Sequence, residues 1–234
     1  MVKGETRTSW IVDPPNGKIP YTAAGRKKFE DDLSFVRNTF DGPETRPMAE
    51  RCLVGFGSTG GPPMINVMYN NTYQFVLTKD HFVILSEMVH DARIVPLFAS
   101  AQEARAHHKP DEIKPWMGDS VGWWEGDTLV TETINVNPTQ GEQNVIPLSS
   151  KGKVTERFQR YAPDEVFYSF TVDDPEKYTQ PWTVENAFRP RDALYDKALD
   201  DPAILEFLAG PYGEHIKRAR DWVQSNRAIV VRYE

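Results

Sequence analysis

Between residues 72 and 188 the chain alternates apolar and polar positions, or runs apolar for short stretches, with turn-forming residues in between. This period of two predicts strands at 72–78, 81–95, 120–124, 128–136, 153–161, 165–173 and 181–188. Lys79-Asp80, Glu125-Gly126-Asp127 and Ala162-Pro163-Asp164 separate neighbouring strands and are too short for crossovers, so the strands should pair antiparallel. Seven or more such strands leave no exposed edge if the sheet closes, which predicts a mainly β fold: an antiparallel meander closing into a β-barrel. Helical periodicity appears outside this region. From 24 to 40, Phe29, Leu33, Val36 and Phe40 recur on one face of a surface helix. The polar segment 98–115 should hold a helical turn over one barrel mouth, and 202–226 reads as two helices split by Gly210-Pro211. Short strands at 9–13 and 228–233 complete a single domain over 1–234, with a helical annex at about 198–226 outside the barrel.

The chemistry that this pattern does not explain lies in 81–95. There Glu87, His90, Asp91 and Arg93 interrupt an otherwise apolar hairpin, and ionisable groups entering a core need partners or a ligand. Read as one strand, the segment puts Val83, Leu85, Glu87, Val89, Asp91 and Arg93 on one face and Phe82, Ile84, Ser86, Met88, His90, Ala92 and Ile94 on the other. A bulge near His90 would bring it beside Glu87 or Asp91, the usual setting of a tuned general base. His90, Asp91 and Glu87 are therefore the catalytic candidates; Arg93, Tyr69, Tyr73, Trp124 and Tyr168 are the substrate-binding candidates. The competing reading makes Glu87, Asp91, Arg93, Glu156 and Arg157 a cross-strand charge ladder without chemistry.

Composition narrows the partners. A net charge of −7 argues against nucleic acid, which calls for a basic face. No apolar run approaches the roughly 20 residues of a membrane span, and the first ten residues lack the apolar stretch of a signal peptide. Cytoplasmic location is the expectation, or periplasmic if a leader was removed. Cys52 is the sole cysteine and reads as a small hydrophobe. The glycine-rich 55–64 lacks the Gly-Lys-Ser/Thr of a phosphate-binding loop and reads as a rim loop or lid. His107, His108, Asp111 and Glu112 are the best local metal ligands but lack the i, i+4 histidine spacing of zinc enzymes, so no metal is expected. No dinucleotide fingerprint suggests a cofactor.

An ordered string of motifs adds a resemblance. It comprises Glu87-Met88-Val89-His90-Asp91-Ala92-Arg93, Trp116-Met117-Gly118-Asp119-Ser120, Trp124-Glu125-Gly126-Asp127-Thr128-Leu129-Val130, Glu156-Arg157-Phe158, Phe170-Thr171-Val172-Asp173-Asp174-Pro175 and Tyr178-Thr179-Gln180-Pro181-Trp182-Thr183. Over about residues 8–195 the chain resembles a largely uncharacterised bacterial family with a lipocalin-like or calycin-like β-barrel, many of its members exported. The resemblance implies the barrel but no reaction. Family members commonly carry a second Cys after the pair matching Leu194-Tyr195, and here that segment has none, which points away from export.

Two functions follow as expectations. The first is a cofactor-independent acid–base enzyme of lyase, dehydratase, isomerase or cyclase type, acting on a hydrophobic or aromatic small molecule in the barrel. The second is a non-catalytic binding protein for a lipid or aromatic ligand. A homodimer is compatible with either.

Overall fold

The computed structural model describes residues 2–3, 7–65, 67, 69–163, 165–189 and 228–233. The helices expected over 202–226 lie outside them. In chain order the elements are β1 (Ile11–Asp13), α1 (Ala23–Asn38), β2 (Thr72–Leu77), β3 (His81–Ser86), β4 (Ala92–Phe98), α2 (Ala101–Ala106), β5 (Asp119–Glu125), β6 (Thr128–Ile134), α3 (Pro138–Gln143), β7 (Lys153–Ala162), β8 (Glu165–Asp173), β9 (Trp182–Arg189) and β10 (Ala228–Tyr233). The fold is mainly β. The strands form one mixed sheet in the order β1-β9-β10-β2-β3-β4-β5-β6-β7-β8, and β9 also pairs with β8.

Two departures from the expected meander shape everything that follows. The single strand expected at 81–95 is two strands, β3 and β4, joined by a tight turn in which Val89 and His90 take positive φ of 59° and 58°. Left-handed backbone is costly for a β-branched residue such as Val89, so nothing in the local composition announces the turn. It is held by the Ser86 amide donating to the Asp91 carbonyl at 2.7 Å and the Glu87 amide donating to the Thr72 carbonyl at 2.9 Å. The second departure is between β4 and β5, which pair parallel, and only through Leu97 with Gly122 and Phe98 with Trp123. A parallel pair needs a long crossover, and residues 99–118, with α2 among them, supply it.

With the turn in place, the inward positions are fixed by register. Tyr73 lies opposite Ser86 and Ile84 opposite Arg93. Thr131 lies opposite Glu156, and Phe158 opposite Tyr168. These side chains are all buried. The interior is largely aromatic: Phe75 meets Phe158 and Phe188 edge-on at 5.6 and 5.3 Å, and Tyr168 lies 5.0 Å from Phe188. The loop expected to be a rim lid enters this interior instead. Residues 59–64 are buried, with the Tyr73 hydroxyl donating to the Thr59 carbonyl at 2.6 Å and the Met64 amide donating to the Tyr168 hydroxyl oxygen at 3.0 Å.

Helix α1 is fixed at its first turn. The Thr22 hydroxyl oxygen caps it by accepting from the Gly25 amide at 2.9 Å, and the Thr22 amide donates to the Lys177 carbonyl at 2.9 Å. Gly25 sits so close that a Cβ there would stand 2.3 Å from that carbonyl oxygen. Phe29 of the apolar stripe stacks on Tyr21 at 5.8 Å, whereas Leu33 and Phe40 are exposed.

Candidate functional site

Where β4 and β5 part before their short parallel contact, the sheet opens into a cleft of about 360 Å³. Its walls are Ala92, Ile94 and Pro96 from β4, Asp119, Ser120 and Val121 from β5, and His107, Lys109, Trp116 and Met117 from the crossover. Ile94, 65% exposed, and Trp116, 41% exposed, stand at the outer mouth. Arg93, 4% exposed, borders the cleft at β4, while its side chain turns to the opposite, interior face of the strand.

Arg93 is half of a buried ion pair. Its Nη1 donates to Glu156 Oε2 at 2.6 Å and its Nη2 to Oε1 at 2.9 Å. The Tyr168 hydroxyl donates to Oε1 at 2.6 Å and the Thr131 hydroxyl to Oε2 at 3.4 Å, so both carboxylate oxygens are supplied with donors. A buried pair is tolerable only when saturated in this way. The saturation stops on the arginine side: its Nε is buried and has no hydrogen-bond partner among the described residues. Gly61, at φ 76°, brings the interior loop against this group; a Cβ there would stand 3.2 Å from Arg93 Cζ.

A second cluster braces the outer face of β5 and β6. His108 Nδ1 lies 2.8 Å from Asp119 Oδ2, which also accepts from the Lys109 amide at 2.7 Å. His108 Nε2 stands 3.7 Å from Glu132 Oε1, an ion-pair rather than a hydrogen-bond distance. Arg105 donates to Glu132 from Nε at 3.0 Å and from Nη2 at 3.1 Å. Burial opposes charge on His108, but Glu132 and Asp119 outweigh it and hold the imidazolium above its ordinary range. Burial likewise opposes ionisation of Glu132, yet His108 and Arg105 bring its carboxyl down to about 2. The sign follows for stability. A histidine raised above its unfolded value of 6.5 contributes fully below that pH, and the contribution is lost as pH rises through the raised value. His108→Gln should therefore lower the urea midpoint at about pH 5.5 and lower it less at about pH 8.5. A pH-independent difference would contradict the paired imidazolium.

The structure does not assemble the catalytic candidates expected from sequence. Glu87 and His90 are exposed on the β3–β4 turn, and among the described residues no hydrogen bond or ion pair joins either to the other or to Asp91. The Glu87 carboxylate accepts from the Thr72 amide at 3.1 Å, and Asp91, half-buried, accepts from the Gly55 amide at 2.6 Å. Burial raises the Asp91 carboxyl, with the Gly55 amide opposing. Among the substrate-binding candidates, Arg93, Tyr73 and Tyr168 converge on the interior around Glu156, while Tyr69 and Trp124 are exposed, 59% and 46%, and lie outside the cleft lining. The five-member charge ladder is reduced to Arg93 and Glu156. Arg157 points outward to Glu125 at 2.7 Å, because adjacent residues on β7 face opposite ways. Among the described residues no three His, Cys, Asp or Glu side chains come together in a metal-binding group. His107 and His108 diverge, as the next contacts show: His107 Nδ1 lies 2.8 Å from the Glu103 carbonyl oxygen, His108 Nδ1 against Asp119.

Sequence reasoning missed Asp119, Glu132, Arg105 and the separate settings of the two histidines. One signal was available: Ser100 and Glu103 carry the spacing of a helix cap, and the Ser100 hydroxyl oxygen does accept from the Glu103 amide at 3.2 Å. That cap starts α2, and α2 places Arg105, His107 and His108. No protein-family model, curated protein or solved structure matches the chain.

Proposed function

We propose that the protein binds a small, partly aromatic molecule in the cleft between β4 and β5 and acts on it by acid–base chemistry without a cofactor, as a lyase or isomerase would. The observation that carries this reading is the cleft lining, which brings His107, Lys109 and Ser120 together with apolar side chains. Trp116, Met117, Pro96 and Ile94 supply apolar walls for the rest of the molecule. The volume, about 360 Å³, lies at the small end of ligand clefts.

The same proposal includes the finer architecture. We read the sheet as a closed barrel of calycin type, supported by β10 pairing with both β2 and β9 while β9 pairs with β8. Non-catalytic binding is the second reading, favoured by the open mouth at Ile94 and Trp116, which excludes water poorly.

Benzoate, an aromatic ring with acceptor oxygens, is a suitable probe. Isothermal titration should show one-to-one binding to the wild type, and Ala92→Trp, which fills the cleft from an exposed position, should weaken it at least about tenfold. Equal affinity in the two proteins, or no binding to the wild type, would refute the cleft as the site.

A further inference from the structure

His107 is held in a way that its neighbour is not. Its ring stacks on Phe98 with centroids 4.4 Å apart and planes 26° from parallel, which fixes the plane of the imidazole. Its Nδ1 lies 2.8 Å from the Glu103 carbonyl oxygen. A carbonyl oxygen can only accept, so in this contact Nδ1 carries the hydrogen and the neutral ring keeps its lone pair on Nε2. Among the described residues no hydrogen bond is made to Nε2. His108 is the opposite case. Asp119 stands at one of its ring nitrogens and Glu132 near the other, so it is held between two carboxylates. Of the two adjacent histidines, one is braced by carboxylates; the other lines the cleft with Nδ1 on a carbonyl and, among the described residues, no hydrogen bond at Nε2.

We propose that His107 Nε2 is the group that removes and returns a proton in the cleft. The inference rests on the cleft being the ligand site and deepens that reading by naming the substrate class: a molecule with an acidic C–H next to a carbonyl. Nε2 takes the proton from carbon, and the C–H electron pair moves toward the carbonyl, whose oxygen becomes the enolate. Returning the proton to a different carbon completes an isomerisation. Expelling a β-hydroxyl, which leaves with its bonding pair and takes the proton from His107 as water, completes a dehydration. Both steps balance without an oxidant or a further reactant.

A generic probe tests the base without the natural substrate. In 5-nitrobenzisoxazole a base removes the C3 proton, the C–H pair forms the nitrile, and the N–O bond breaks to release a coloured phenolate. The wild type should give saturable turnover that benzoate inhibits. His107→Ala should lower kcat at least about tenfold with KM little changed, whereas the distant His81→Ala should alter neither by more than about twofold. Turnover by His107→Ala at the wild-type rate, still inhibited by benzoate, overturns the assignment while leaving the cleft as the site. Loss of activity in His90→Ala instead assigns the base to the β3–β4 turn and also overturns it. Turnover that neither benzoate nor Ala92→Trp affects defeats the cleft reading itself. If benzoate binds but the wild type exceeds free imidazole by nothing, His107 is not a base. Histidine ¹⁵N shifts give an independent readout: in the neutral ring of His107 Nε2 should be the nitrogen without hydrogen, and a protonated Nε2 with a bare Nδ1 refutes the tautomer.

Discussion

Replacing Glu156 with leucine is expected to cost about 3–5 kcal/mol of folding stability, read as a lower urea midpoint at unchanged slope. The Glu156 side chain is fully buried and that of Arg93 is 3% exposed, so the substitution leaves a guanidinium in the interior with two of its N–H donors newly unpaired. Tyr168 loses its acceptor as well. The cost belongs to the stranded charge more than to the lost attraction, and a double variant separates the two. Arg93→Met with Glu156→Leu removes both charges, keeps similar volume, and should recover most of the stability. A loss below about 1 kcal/mol in Glu156→Leu would mean that water reaches the pair and screens it as it does at a surface.

Phe188→Ala is expected to cost a further 3–5 kcal/mol or so by a different cause, cavity formation. The ring is fully buried and sits 5.5 Å from Tyr73, 5.3 Å from Phe75 and 5.0 Å from Tyr168. Three rings on two other strands, β2 and β8, therefore lose contacts at once, and rings of this size on rigid strands cannot collapse to fill the space. Phe188→Leu should cost less, since most of the volume stays. Urea unfolding of both variants checks the order. Equal effects, or a loss below about 1 kcal/mol for alanine, would show that the interior is loosely packed around this ring.

Most strands were legible because alternation is a local signal. The expectations at 72–78, 165–173 and 228–233 nearly coincide with β2, β8 and β10. What failed was information of another kind. The β3–β4 turn contains no Gly, Pro or Asn between Ser86 and Ala92, and two residues accept positive φ because the flanking ladders on β2 and β4 impose it. Missing the turn moved Glu87 and Asp91 onto the face of Arg93 and produced a catalytic constellation that the fold separates. The parallel contact of β4 with β5 was equally hidden, since it depends on where residues 99–118 deliver the chain. The cleft and the settings of His107 and His108 exist only because of that delivery. Arg93 and Glu156, in contrast, were both visible as charges in strand patterns; their union needed the register of four strands.

The ladders also divide the sheet unequally. One antiparallel block contains β10, β2, β3 and β4, and the other β5 to β9 with β1; between them run two seams, each of only two registered pairs, at Leu97–Phe98 and at Arg189–Phe188. Backbone bonding contributes little at these joints. Arg93 belongs to the first block and Glu156 to the second, so their bidentate bond is a tie beam across the interior. The spacing of the two blocks beside the cleft is thereby held from within, by a bidentate side-chain bond where the backbone ladder is only two pairs long.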